Sequence, residues 1–89
     1  MSILKISIRQ IKAARSLLGW SQDDLADRSG VSKPTIGRLE ATDSDEPIGG
    51  RPETGAALVA ALEKAGVEFI PENGGGAGVR LAKRARRGK

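Results

Sequence analysis

Residues 21–41 read SQDDLADRSGVSKPTIGRLEA, and this stretch decides the fold. Ser21 is a helix N-cap, because its hydroxyl can accept from a backbone N–H of the first turn. Asp23 and Asp24 follow, where negative charge suits the helix dipole. Trp20 lies just before the cap and Leu25 four residues after it, the spacing of a hydrophobic staple. These signals predict a helix over Gln22–Ser29. Gly30 stops it, since glycine accepts the left-handed conformation without strain. Ser32 then caps a second helix that runs to Glu40 or Ala41. Pro34 falls in its first turn, where a missing N–H is harmless. Ile36 and Leu39 give this helix an inward face, and Val31 plugs the turn into the core. Ala26 must be small if the second helix crosses close above it.

Outward from this stretch, Ile8, Ile11, Ala14 or Arg15, and Leu18 recur at helical spacing, which predicts a helix from Ser7 to Leu18 closed by Gly19. Beyond residue 41, TDSDEPIGGRPE is rich in Pro, Gly and Asp and reads as a loop. A further helix is expected after Thr54, a good cap, running to Ala65, with Leu58, Ala61, Leu62 and Ala65 as its apolar stripe. After Gly66 the period changes. VEFIP and VRLAK alternate and flank the turn-forming ENGGGAG, which predicts two strands joined by a glycine-rich loop. The run Gly74-Gly75-Gly76 has no following helix or Lys-Ser/Thr pair, so it reads as a hairpin loop rather than a phosphate cradle. The expected fold is mainly α, four helices with a C-terminal β-hairpin. Its parts are residues 1–66 as the helical domain, 67–83 as the hairpin and 84–89 as a basic flexible tail.

Composition narrows the function. A chain of 89 residues without cysteine or histidine lacks thiolate metal sites, disulfides and the commonest general acid/base. Trp20 and Phe69 are its aromatic residues. No catalytic residue, cofactor or metal is expected. No apolar run approaches the ~20 residues of a membrane span, and MSILKISIRQ lacks the features of a signal peptide, so a cytoplasmic, nucleoid-associated protein is expected. The formal net charge is +4, and Lys83–Lys89 hold five of the fifteen basic groups and no acid. Such a tail is a candidate for nucleic acid, against the alternative of a solubilising terminus.

Two short helices joined by a glycine-containing turn form the general helix-turn-helix pattern. The second helix shows Lys33, Thr35 and Arg38 outward, with Gly37 adding little bulk. Short polar and basic groups at the start of one helix suit a major-groove reader. The pattern Arg15, Gly19, Ser21-Gln22, Leu25-Ala26, Gly30-Val31-Ser32, Ile36, Leu39-Glu40 resembles the Cro and lambda-repressor (XRE-like) family over residues 8 to about 66. That resemblance implies that Lys33, Pro34, Thr35 and Arg38 face base edges of double-stranded DNA. It implies phosphate contacts for Ser21, Gln22, Ser32 and Arg51, and a structural pair of Arg15 with Glu40. Arginine is the commonest bidentate partner of guanine, which singles out Arg38. For Lys33 a phosphate contact or a solvated surface position is the alternative. The sequence departs from the family in the loop Thr42-Asp43-Ser44-Asp45-Glu46, whose three acids stand where basic or amide groups are usual. Gly55 also stands where an apolar residue usually starts the fourth helix.

The resemblance implies a transcriptional regulator, a repressor that binds a palindromic operator as a homodimer through helix 32–41 in the major groove. The alternative is an antitoxin that controls its own operon and binds a toxin. Val67 and Phe69 share one strand face, with Val79 and Leu81 across the turn. These four residues are expected to make the dimer, against a rival in which the hairpin folds onto its own helices and helix four alone pairs.

Overall fold

The computed structural model describes residues 6–42, 47–72 and 74–82. Four helices, α1 (Ile8–Leu18), α2 (Gln22–Ser29), α3 (Lys33–Thr42) and α4 (Pro52–Lys64), precede two strands, β1 (Val67–Ile70) and β2 (Gly78–Leu81). The expected four helices and C-terminal hairpin are present.

Local chemistry sets the helix ends. Ser7 caps α1 and Ser21 caps α2, each in a reciprocal box with the residue three positions on, Gln10 and Asp24. Gly30 closes α2 at φ 79°, a value that costs a side-chain-bearing residue strain. The helix end furthest from its expected place is the start of α4. The sequence points to Thr54 as its cap, but Arg51 occupies the N-cap and Pro52 the first turn. Proline is preorganised for that position and lacks the N–H that would otherwise be orphaned there.

Every helix contributes to one core. Ile11, Leu25, Ile36, Leu58 and Leu62 are fully buried, and Val31, Leu39 and Trp20 pack against them. Burying an aliphatic side chain of this size stabilises by roughly 1.5–3 kcal/mol. Arg28 stacks on Trp20, with its guanidinium 4.9 Å from the ring centroid, so α2 holds the chain entering its own N-terminus.

The strands pair antiparallel, with Val67 opposite Leu81, Glu68 opposite Arg80 and Phe69 opposite Val79. Alternation sends Glu68 and Arg80 to the outer face, where they form an exposed 2.7 Å ion pair. Such a pair contributes little to stability. Val67 is buried, and Phe69, Val79 and Leu81 pack against the helical core. The apolar face expected to meet a second subunit is thus laid on the chain's own helices. Its cause is visible on α1: Gln10 donates from Nε2 to the Gly78 carbonyl at 3.0 Å and ties β2 to the start of that helix.

The stretch read as plain loop also has a structural part. The Ile48 N–H donates to the Ile6 carbonyl at 3.0 Å, and Pro47 bridges to Ser7. Ile48 then lies over Gly55, whose missing side chain leaves it room. The apolar residue absent at the start of α4 is supplied from the preceding segment. Among the described residues no helix is long and apolar enough to cross a membrane.

Candidate nucleic-acid interface

The site is built on a partly buried ion pair that joins α1 to α3. Arg15 donates from Nε and Nη2 to the two carboxylate oxygens of Glu40, at 2.9 and 2.7 Å. This fork geometry fixes orientation as well as distance. The remaining nitrogen, Nη1, donates to the Trp20 carbonyl at 2.9 Å. Gln22, the first residue of α2, adds its Nε2 to Glu40 Oε1 at 2.9 Å. One carboxylate therefore holds the starts and ends of three helices together.

The Glu40 side chain is only 5% exposed, against 21% for Arg15. Burial pushes the Glu40 carboxyl up. The hydrogen bonds from Arg15 and Gln22, with the charges of Arg15 and Lys12, outweigh burial and leave it below the ordinary glutamate value. Glu40 is therefore ionised at neutral pH. The Glu40 hydrogen bond is the main cause that raises the Arg15 pKa, so the pair is fully charged.

The helix so fixed begins at Ser32. Its hydroxyl meets the Thr35 N–H at 3.4 Å and the Thr35 hydroxyl at 2.9 Å. Ser32 is thus the cap expected from sequence, and its partner Thr35 is half-buried beside it. Lys33, Pro34 and Arg38 are exposed. Lys33 lies 3.4 Å from Asp23 in a pair open to water on both sides, so it can be drawn to a stronger anion. Arg38 has no hydrogen-bond or ion-pair partner among the described residues. A fixed helix thus presents one free guanidinium and one loosely paired ammonium.

The residues expected to touch phosphate divide. Ser21 uses its oxygen to accept from the Asp24 N–H, while its own N–H donates to Asp24 and holds that carboxyl below its ordinary value. The hydroxyl proton remains to donate. Gln22 turns its amide nitrogen to Glu40, a tie that periodicity and charge pattern do not indicate. Arg51 is exposed at the N-cap of α4, joined to the other candidates by no hydrogen bond or ion pair. Asp43, Asp45, Glu46 and the basic tail lie outside the described residues.

No curated protein matches the chain. Residues 11–44 match the family model described as helix-turn-helix. The matched span begins on α1 and runs past the end of α3, so it encloses Arg15, Gln22 and Glu40 as well as the exposed start of α3. The order of helices, the glycine turn at Gly30 and this match give residues 11–44 a helix-turn-helix of the Cro/lambda-repressor-like (XRE-like) type, a DNA-binding regulatory domain.

Proposed function

We propose that the chain is a repressor that occupies a palindromic operator as a homodimer, with α3 in the major groove. The observation that carries this reading is the exposed start of α3, held by the partly buried Arg15–Glu40–Gln22 cluster. A reading helix must keep a fixed angle to the phosphates that position it, because phosphate contacts set register while base contacts set sequence. Lys33, Pro34 and Arg38 then face base edges, and the hydroxyls of Ser21 and Ser32 serve the backbone. Arg38 reads guanine through its two parallel donors.

The dimer is assigned to the hairpin. Its apolar face is covered by the helices, so a second copy meets it at an edge. Ala82 donates to the Gly66 carbonyl, which marks residues 66, 68 and 70 as the hydrogen-bonded positions facing residues 82, 80 and 78. The backbone groups of Val67 and Phe69 on β1, and of Val79 and Leu81 on β2, therefore point to the outer edges of this two-stranded sheet. Edges of this kind are templates for pairing with another chain. A two-fold axis there would set two reading helices about 34 Å apart, one turn of DNA.

Selection of sites from random duplex DNA tests the reading, together with sedimentation of the full chain. The expected result is an inverted repeat, with Arg38→Ala weakening binding by about 1–3 kcal/mol and relaxing one base pair per half-site. A monomer at tens of micromolar, or a motif unchanged in Arg38→Ala, would overturn it.

A further inference from the structure

We propose that Gln22 reads a base: its side-chain oxygen accepts from an exocyclic amino group, adenine N6 or cytosine N4, at the base pair that passes over Gly37. This inference rests on the placing of α3 in the major groove.

The orientation of the amide follows from its neighbour. Glu40 is an ionised carboxylate bound to Arg15 and can only accept. Gln22 must therefore turn its nitrogen inward to Glu40, at 2.9 Å. The oxygen is left on the other side. The tie to Glu40 does not use it, and it is not a buried atom left without a partner. It lies 3.8 Å from where a Cβ at Gly37 would stand. Gly37 is one helical turn after Lys33 and adjacent to Arg38, so the oxygen sits beside the base-facing groups of α3.

Chemistry then selects the ligand. A phosphate offers acceptors alone, so an acceptor oxygen gains nothing from the backbone. In the major groove the donors are the amino groups of adenine and cytosine. Access depends on Gly37. An alanine there would meet the oxygen at ordinary contact distance, and a longer side chain would compete for the space beside it. The glycine keeps open a surface that Gln22 occupies from the neighbouring helix.

The test is site selection with the full wild-type chain and with Gln22→Met, Gly37→Leu and Gly37→Ala, each checked for folding by circular dichroism. The wild type should show one position per half-site where adenine or cytosine is preferred over guanine or thymine on the contacted strand. Gln22→Met and Gly37→Leu should erase that preference, lower affinity for the wild-type site about tenfold and leave the other positions intact. Gly37→Ala should keep it. Uniform weakening of all sequences by Gln22→Met, with every preference retained, would overturn the proposal and return Gln22 to a phosphate or purely structural role. Should Gly37→Leu abolish binding outright, Gln22→Met decides by the same criterion. A wild type that selects no motif would overturn the placing of α3, and this inference with it.

Discussion

Breaking the Arg15–Glu40 pair from its two sides should have unequal costs. Arg15→Met leaves a carboxylate that is 5% exposed and keeps one hydrogen bond, from Gln22. Stranding a buried charge costs roughly 3–5 kcal/mol, and the surviving amide bond argues for the lower part of that range. Glu40→Leu leaves a guanidinium that is 21% exposed and still bonded to the Trp20 carbonyl. Water can reach it, so the loss should be nearer 1–2 kcal/mol. A domain of this size is stable by only about 5–10 kcal/mol, so the first change removes a large part of the total. The double variant Arg15→Met/Glu40→Leu replaces the pair by apolar side chains and should cost less than Arg15→Met alone. The expected coupling is about 2–3 kcal/mol.

The same pair sets a pH signature. The folded Glu40 pKa lies below its unfolded value of about 4.3, so its contribution is present above that value and is lost as pH falls through the folded pKa. In Arg15→Met the order reverses, because burial remains while its main opposing interactions are gone. That variant should gain relative stability as pH falls from 7 to 4, when Glu40 takes up a proton. Urea melts followed by far-ultraviolet circular dichroism measure both effects. Trp20 fluorescence is the poorer probe here, since its carbonyl is one of the groups disturbed. Equal, additive losses in the two single variants, or a gap between wild type and Arg15→Met that does not change with pH, would refute the reasoning.

Other expectations follow from single positions. Gly55→Ala should stabilise by about 0.5–1 kcal/mol and raise Tm by about 4 °C, because the added Cβ meets Ile48 at 3.7 Å, an ordinary van der Waals distance. Thermal unfolding would show a fall instead if Ile48 cannot accept the methyl group. Ser21→Ala removes the oxygen that accepts from Asp24 and should cost about 1 kcal/mol in a urea melt, with little change in which bases are selected. Deleting residues 84–89, four of them basic, should leave the melt unchanged. If they lie on DNA, the slope of log K against log salt becomes shallower by about 0.9 for every phosphate they had neutralised; an unchanged slope assigns them to solubility.

The parts of this fold that were legible in the sequence are those with a local or periodic signal. Ser21, Gly30 and Ser32 set helix ends by chemistry within three residues of themselves. The facing of the hairpin residues was legible because alternation with period two sends Val67 and Phe69 to one face and Glu68 to the other. What escaped was carried by side chains that cross between elements: Gln10 to Gly78, Gln22 to Glu40, Ile48 to Gly55. A polar side chain reaching a distant partner has no period, and one isoleucine in a Pro- and Gly-rich stretch has none either. Two of these three crossings did leave a mark. Glycine inside a helix costs up to about 1 kcal/mol relative to alanine, so Gly37 and Gly55 each need a reason to stand where they do. In both places a side chain from elsewhere, Gln22 or Ile48, lies at van der Waals distance from where a Cβ would stand, which marks a close approach without excluding alanine. Alanine should therefore be accepted at both positions, whereas leucine should disturb each in its own way. At Gly55 a leucine should lower stability by displacing Ile48. At Gly37, on the surface, it should spare stability and alter only what the helix reads.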